Sequence, residues 1–418
     1  MGFTKTITKN KNRLTVYVLI AMLAGSLLGY IVHENSSPSF IASFSVDMNL
    51  LTTIFLRLVQ MIIAPLVFST LVVGIAKLGN LKTVGRIGGK ALLWFVSASL
   101  VSLFIGLVLV NYFRPGDAIN LSIVDVSAAK DLMTNTQQFS LTNFVEHVFP
   151  KSIFQSMASN EILQIVIFSV FFGIAATAIG DYAKPVIKAL ESVSHIILKM
   201  VDYVMNFAPL GVFGALAAVI AINGLEIFKF YGDYLFFFVI GIFVLWLVLI
   251  AVGYLILKNR VPLLLKRIAQ PLLIAFSTTS SEAVFPKLTE ELERFGCPEK
   301  IVAFTLPLGY SFNLDGSMMY MTFASIAIAQ AYRIHMDVGT QITMLLVLML
   351  TSKGIAGVPR AALVVVLATC SMFHIPPAGI ALILPIDHFC DMFRTMTNVL
   401  GNALATSAVS KWEGELAN

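Results

Sequence analysis

Long apolar runs separated by short charged stretches dominate the chain, and their lengths predict membrane helices. A spanning helix needs about 20 predominantly apolar residues. Such runs are read at 14–33, 49–76 and 91–113. A stretch at 115–140, rich in Asp, Ser, Asn and Thr, is expected to be an exposed loop, and further runs follow at 141–180, 182–222 and 229–257. Pro209 in "FAPLGVFGAL" interrupts the fifth run, which is tolerable where neighbouring helices satisfy the released backbone group. The first run starts near Leu14 with no small-residue cleavage site after it, so it reads as a first membrane helix and not a removed signal peptide.

From about residue 260 the pattern changes. Four polar clusters break the apolar stretches: "AFSTTSSEAVFP" (275–286), "FNLDGS" (312–317), "TSKGIAGVPR" (351–360) and "DHFCDMFRTMTNVLGN" (387–402). The order is a small-residue cluster followed by a polar helix, and then the same pair again. Such paired interruptions point to a binding site made by discontinuous helices near the bilayer midplane. Each small-residue cluster sits between apolar arms too short to span comfortably, which predicts a re-entrant hairpin. The first hairpin begins and ends on the same side as the basic cluster at 258–267, the second on the opposite side, so the two hairpin–helix pairs read as inverted repeats. Non-helical backbone at that depth survives only where it lines a protein cavity. The expectation is an all-α membrane protein with eight transmembrane helices and two re-entrant hairpins.

Composition and charge agree. Of 418 residues 58% are hydrophobic and 12% charged, about half the charged share of a soluble domain, which is roughly 25%. The net charge of +5 is not a nucleic-acid signature. Lys5, Lys9, Lys11 and Arg13 precede the first run; Lys77, Lys82, Arg86 and Lys90 lie between the second and third; Lys258, Arg260, Lys266 and Arg267 follow the sixth. Asp117, Asp125 and Asp131 fall in the 115–140 loop. By the positive-inside rule the basic ends, with both termini, are cytoplasmic. Cys297, Cys370 and Cys390 have no paired or metal-like spacing, and there is no HExxH, so an intramembrane metalloprotease finds no support.

The candidate chemistry lies chiefly in the second and fourth polar segments. Asp387, Asp391, Arg394, Asn398 and Asn402 recur every three or four residues, and Thr395 adjoins Arg394, so one helix face is polar. A charge at the centre of a membrane helix costs roughly 2.5–3.5 kcal/mol on insertion scales. Mutual neutralisation of Asp391 and Arg394 would explain part of the stripe, but not the asparagines or the facing "NLDGS". The functional reading is a site for a zwitterion. Arg394 offers a planar fork for a carboxylate, Asp391 and Thr395 can accept from an ammonium, and Asn398 with the "TTSS" turn can hold a second carboxylate. That inventory describes an acidic amino acid. Around 309–317, carbonyls exposed by a helix break and the side chains of Asn313 and Asp315 offer oxygens suited to a hard cation; alone, "NLDG" is also an ordinary turn.

The segments "LPLGYSFNLDGS", "STTSSEAVFP", "SKGIAGVP" and "DMFRTMTNVLGN", in that order, resemble the dicarboxylate/amino acid:cation symporter (glutamate transporter) family, most closely its bacterial proton/sodium–glutamate branch. The resemblance covers nearly the whole chain. It implies a homotrimer in a bacterial inner membrane and an elevator mechanism. Residues 1–90 and 114–222 would form the scaffold, and residues 91–113 and 223–418 the moving transport domain, with the second hairpin as outer gate. Carried over by motif, Ser280, Ser281 and Val358 would hold substrate from the hairpins. Ser317 and Arg394 would take the side-chain carboxylate, Asp391 and Thr395 the amino group, and Asn398 the α-carboxylate. One cation site would use Gly309, Asn313, Asn398 and Asn402; another Asn313, Asp315 and Ser99; a third Ser311, Ser352 and Ile355. No cofactor is implied beyond coupling protons or sodium.

Several positions depart from the family pattern. Asn402 stands where strongly sodium-coupled members carry Asp, and Ala98 where a hydroxyl is often found. Met321 occupies the place of a Glu that animal members use for proton and potassium coupling. Glu282, at the first hairpin tip, is either an alternative proton carrier or a solvated tip residue. Arg360 replaces the Gly of "GVPG" and either adds charge near the gate or points to outside water. The rival within the family is a C4-dicarboxylate carrier; such members typically lack the acid at 391 and the hydroxyl at 395, both present here. An anion channel or intramembrane enzyme would need a continuous pore or a catalytic pair, and neither is evident.

Overall fold

The computed structural model describes residues 3–78, 81–118, 148–224, 231–352 and 361–417. Within these the chain is built of helices: α1 (Phe3–Asn35), α2 (Pro38–Leu78), α3 (Leu81–Phe113), α4 (Ile162–Ile179), α5 (Lys184–Met205), α6 (Ala208–Asn223), α7 (Gly232–Leu257), α8 (Val261–Thr278), α9 (Phe285–Phe295), α10 (Glu299–Phe312), α11 (Asp315–Ala331), α12 (Val338–Thr351), α13 (Ala361–Met372) and α14 (Asp387–Trp412). Five stretches are long and apolar enough to cross a membrane among the described residues: Val16–Asn35, Pro38–Ala76, Lys82–Phe113, Ile162–Met205 and Gly232–Thr278. The last two each contain two helices joined by a short 3-10 turn. The break at 313–314 leaves α10 and α11 too short to count singly, and α14 carries the polar stripe.

The helices outrun the apolar runs that announce them. α2 begins at Pro38 and not near 49, and α3 begins at Leu81 and not at 91, so Arg86 and Lys90 lie on a helix. Hydropathy marks where the bilayer ends, whereas Lys and Arg are good helix formers that carry the helix into water. With 41 residues, α2 is about 60 Å long, twice the hydrocarbon thickness. The 141–180 run becomes α4 preceded by a short helix, Ile153–Ala158; 141–147 and most of the 115–140 stretch lie outside the described residues. The 182–222 run splits at Asn206–Phe207, and Pro209 sits in the first turn of α6, where a missing N–H costs nothing.

Two packing groups emerge. In one, α6 lies against both α1 and α2, and α2 also carries α4 and α5. The alanine face of α6, with Ala217, Ala218 and Ala221 buried, permits close approach, as membrane interfaces require. His33 of α1 lies 2.8 Å from the Ala221 carbonyl. In the other group α14 is surrounded by α7, α8, α10 and α11, and α3 runs along α11. Gln330 ties that pair together: its amide donates to the Val110 carbonyl at 2.9 Å and accepts from the Gly116 N–H at 3.2 Å. The groups meet where α10 rests on α2 and α4, and where the α8–α9 hairpin touches α2, α5 and α6.

Burial sorts the helices. Leu23 and Leu255 are 74% and 78% exposed, whereas every residue from Met318 to Ala331 and from Val399 to Ser410 is buried. Helices apolar all round belong in a core or in lipid; here α11 takes the core and the flanks of α1, α4 and α7 face outward. α8 packs on α9, and α12 on α13; residues 353–360, between α12 and α13, lie outside the described residues. Asp337 caps α12, accepting from the Thr340 N–H at 3.0 Å and hydroxyl at 2.7 Å, and these bonds hold its carboxyl below the usual range.

The residues after α14 form a strap. The Glu413 side chain, 1% exposed, accepts from Arg86 at 2.7 Å and Lys90 at 2.7 Å, and Lys300 meets Glu415 at 2.6 Å. The Ala417 N–H donates to the Gly296 carbonyl at 2.9 Å, and the Ala417 carbonyl accepts from Arg260. Trp412 packs on Trp94 with ring centres 5.9 Å apart. The strap thus joins the ends of α3, α7, α9, α10 and α14.

Candidate functional site

The site is built where α10 stops. Pro307, two residues before Gly309, removes one intrahelical donor. Asn313 closes the helix, its N–H donating to the Gly309 carbonyl at 2.8 Å. Asn313 and Leu314 then leave helical geometry, with ψ of 72° and 57°, before α11 begins at Asp315. The break opposes the middle of α14. Close approach there depends on two glycines. A Cβ on Gly401 would collide with Asp315 Oδ2, and one on Gly316 would collide with the Arg394 carbonyl.

Three amide and carboxylate side chains gather at the break. Asn313 Nδ2 donates to Asp315 Oδ2 at 3.1 Å and to Asn402 Oδ1 at 3.2 Å. Both Asn313 and Asp315 are 0% exposed. Asn313 Oδ1 is buried with no hydrogen-bond donor among the described residues, which costs roughly 1–3 kcal/mol. An unpaired buried acceptor beside a carboxylate and a second amide oxygen suits a hard cation that takes oxygen ligands. Among the described residues no three His, Cys, Asp or Glu side chains gather as a metal site, so the oxygens here are mostly amides. Ser99 is fully buried on α3, one turn beyond Phe95, whose ring lies beside Gly309.

One turn back along α14, Asn398 turns to α11. Its Oδ1 accepts from the Gly316 N–H at 2.9 Å and the Ser317 N–H at 3.3 Å, and its Nδ2 donates to Ser317 Oγ at 3.1 Å. Asn398 therefore caps the start of α11, satisfying donors that a helix N-terminus leaves open. Ser317 and Asn398, assigned on sequence to different carboxylates of a ligand, touch directly.

Arg394 is the centre of the charged group. It is 4% exposed. Its Nε donates to Asp391 Oδ1 at 2.7 Å and its Nη1 to Asp387 Oδ1 at 3.0 Å. Its guanidinium lies over the Tyr320 ring, 4.7 Å from the centre, and the Tyr320 hydroxyl donates to Asp387 Oδ1 at 2.7 Å. Thr395 Oγ1 donates to Asp391 Oδ1 at 2.9 Å. Trp246 of α7 fixes the rotation of α14 by donating to Thr397 at 2.8 Å. Part of the neutralisation weighed on sequence is therefore present, but with two carboxylates. Two formal negative charges against one positive leave the group one charge short. Both bonds to Asp391 fall on Oδ1, and its side chain keeps 22% exposure.

The hairpin residues are held differently. Thr279 adopts left-handed geometry at the first tip, with φ of 51°. Ser280 Oγ accepts from the Ala283 N–H at 3.2 Å, and the Ser281 carbonyl accepts from the Tyr310 hydroxyl at 3.0 Å. These bonds shape the tip and do not reach Arg394. Phe276 of α8 packs edge-on to Phe393 of α14, 5.1 Å between centres, so the hairpin arm borders the charged group. Glu282 follows in a 3-10 turn that packs against α2. Ser311 and Ser352 are buried; Ile355, Val358 and Arg360 lie outside the described residues. Sequence reasoning passed over Asp387 and Tyr320 as ligands. Asp387 lies two helical turns before Arg394, and Tyr320 one turn after Ser317; that spacing was the available signal.

Broken membrane helices that converge on buried charges define a secondary carrier, a protein that moves a charged solute without transforming it. The chain belongs to the sodium:dicarboxylate symporter family, whose model matches residues 14–412. It is 38% identical over 402 residues to the proton/sodium-glutamate symport protein of Geobacillus stearothermophilus, covering 95% of this chain and 94% of that one. It is 39% identical over 407 residues to the C4-dicarboxylate transport protein of Pseudomonas syringae pv. syringae (strain B728a), covering 96% and 87%. A third relative, the C4-dicarboxylate transport protein of Acinetobacter baylyi, is 39% identical over 412 residues, 96% of this chain and 91% of its own. The chain is thus a membrane symporter and not an enzyme, and its relatives divide between two substrate classes.

Proposed function

We propose that the protein imports an acidic amino acid, glutamate or aspartate, in symport with protons, sodium or both. The observation that carries this reading is the charge count around Arg394. Asp387 and Asp391 already oppose it, so a dicarboxylate would add two negative charges to a group that is negative. An amino acid brings an ammonium as well, and Asp391, partly exposed and bonded through one oxygen, is placed to receive it. Arg394 would exchange one of its carboxylate partners for the ligand's side-chain carboxylate. Ser317 would join Arg394 on that side-chain carboxylate, Asn398 would meet the α-carboxylate, and the tip of the α8–α9 hairpin with Val358 would complete the enclosure.

Cation coupling would centre on Asn313, Asp315, Asn402 and the Gly309 carbonyl, with Asn398 and Ser99 adjoining and Ser311, Ser352 and Ile355 as a further set. A bound cation there supplies positive charge opposite Asp315 and a partner for the Asn313 oxygen. The two packing groups support a scaffold of residues 1–90 and 114–222, against which residues 91–113 and 223–418 slide as an elevator in a homotrimer. The strap on Arg86, Lys90, Arg260 and Lys300 places the C-terminus beside basic ends that the positive-inside rule assigns to the cytoplasm of a bacterial inner membrane.

C4-dicarboxylate symport is the second reading, favoured by the names of relatives of equal identity. Uptake into liposomes of aspartate, glutamate and succinate, each under separate proton and sodium gradients, decides between them. Accumulation of succinate with indifference to both amino acids would reject the first reading.

A further inference from the structure

The helix α7 is apolar along its length, with Phe243 and Leu247 turned outward. Its other face lies against the helices that carry the site. The side chains of Met319 on α11 and Leu404 on α14 occupy the space a Cβ would need at Gly241 and Gly253. Phe238 packs edge-on to Tyr320, 5.8 Å between ring centres, and the Tyr320 hydroxyl donates to Asp387. These contacts set how far α7 stands from α11 and α14. They do not set the rotation of α14, because apolar contact is non-directional.

Between the two glycines Trp246 Nε1 donates to Thr397 Oγ1 at 2.8 Å. Thr397 is 0% exposed. Its own hydroxyl proton goes to the Phe393 carbonyl at 2.8 Å, which leaves the oxygen to accept from the indole. This bond has a direction that the apolar contacts lack. At about 100° per residue, Arg394 and Asn398 stand about 60° and about 100° round α14 from Thr397, on the same side. On the other side Phe393 meets the edge of Phe276 from the first hairpin. Side-chain tips lie about 6 Å from a helix axis, so a rotation of about 10° carries them about 1 Å. A binding constellation has to be held to within about 0.5 Å.

We propose that Trp246 is a positioning residue of the solute site. Acting through Thr397, it holds α14 in the rotation at which Arg394 meets Asp387 and Asn398 meets the first turn of α11. Its effect on the solute passes entirely through α14. Loss of the indole N–H leaves every ligand in place and lets the stripe that carries them turn. This rests on the reading of Arg394 and Asn398 as solute ligands, and adds the group on the helix behind them that sets their aim.

The test uses purified full-length protein in liposomes under imposed proton and sodium gradients. Labelled aspartate, glutamate and succinate are offered, and the solute that wild type accumulates is the probe. Trp246→Phe keeps the ring and removes the donor; Thr397→Val keeps the shape and removes the acceptor. Each should raise the half-saturating concentration about three- to tenfold. The double variant should be no worse than either single one, since both remove one bond. Thr397→Ser, which keeps the hydroxyl, should restore the wild-type value. A merely structural role would lower the amount of active protein, hence the maximal rate and the melting temperature, and leave half-saturation unchanged. If Trp246→Phe aggregates, Thr397→Val carries the same test with α7 untouched. Half-saturation within about a factor of two of wild type in the folded variants, or losses that add in the double variant, overturns the proposal while the solute site stands. Arg394→Gln is the control for that site: if it keeps wild-type half-saturation, or if wild type accumulates none of the three solutes, the site reading falls and the proposal falls with it.

Discussion

Asp391→Asn is the substitution that separates the two substrate classes. Asparagine has nearly the same shape and keeps an oxygen at the position that accepts from Arg394 Nε at 2.7 Å and Thr395 Oγ1 at 2.9 Å. Arg394 also keeps Asp387 at 3.0 Å, so the guanidinium is not left unpaired and the fold should survive. What is lost is the negative charge offered to an ammonium. A hydrogen bond to a charged group is worth roughly 1.5–3 kcal/mol, so amino-acid affinity should fall about 10- to 150-fold. A dicarboxylate has no ammonium to lose and gains from the removal of a repelling charge, so succinate should bind as well as before or better. Competition against labelled substrate in liposomes, run for glutamate, aspartate and succinate on both proteins, gives the ratio directly. Equal losses for all three, or amino-acid affinity unchanged within a factor of two or so, would refute the role given to Asp391.

Three further outcomes follow from the same geometry. Asn402→Asp places a second carboxylate beside Asn313 and Asp315; the sodium concentration for half-maximal uptake should fall about tenfold, and sodium should raise the melting temperature more than in wild type. Gly401→Ala drives a methyl into Asp315 Oδ2; overpacking costs typically about 1–3 kcal/mol, visible as a lower melting temperature and weaker cation dependence. Glu413, hydrogen-bonded by Arg86 and Lys90, has its carboxyl held below its ordinary value of 4.5. Its contribution is complete above that value and is lost only as pH falls through the lowered one, so Trp412 fluorescence should stay constant through mild acid and shift below the usual carboxylate range. Glu413→Gln should show the shifted signal at neutral pH.

Much of the site was legible because membrane helices make polar residues conspicuous. The stripe from Asp387 to Asn402 needs only helical spacing, and the pairing of α14 with "NLDG" needs only that both be too costly to face lipid. The helix break expected around 309–317 lies at Asn313 and Leu314. What stayed hidden depends on rotation and depth, which one-dimensional spacing does not contain. The capping of α11 by Asn398 requires knowing that two helices meet at that level, and the Tyr320 hydroxyl on Asp387 requires knowing which neighbour each face of a buried helix meets. Helix ends were displaced because hydropathy reports the bilayer boundary and not the end of hydrogen bonding, as Arg86 and Lys90 on α3 make plain.

The strap after α14 is bonded to the base of the α8–α9 hairpin. The sequence reading makes α8–α9 and α12–α13 counterparts of an inverted repeat. Yet the base of the first is stitched through Gly296 and Arg260 to the tail, and its second arm carries the Lys287–Glu290–Glu291–Arg294 belt. Displacing it means separating paired charges and peeling away a strand of chain that also grips α3 and α10. The arm α12 presents Val338, Ile342, Leu346 and Leu350 outward, and its displacement exchanges one apolar neighbour for another. In the proposed transport cycle the first hairpin would therefore travel with α14 as a single body, and the work of opening would fall to the second.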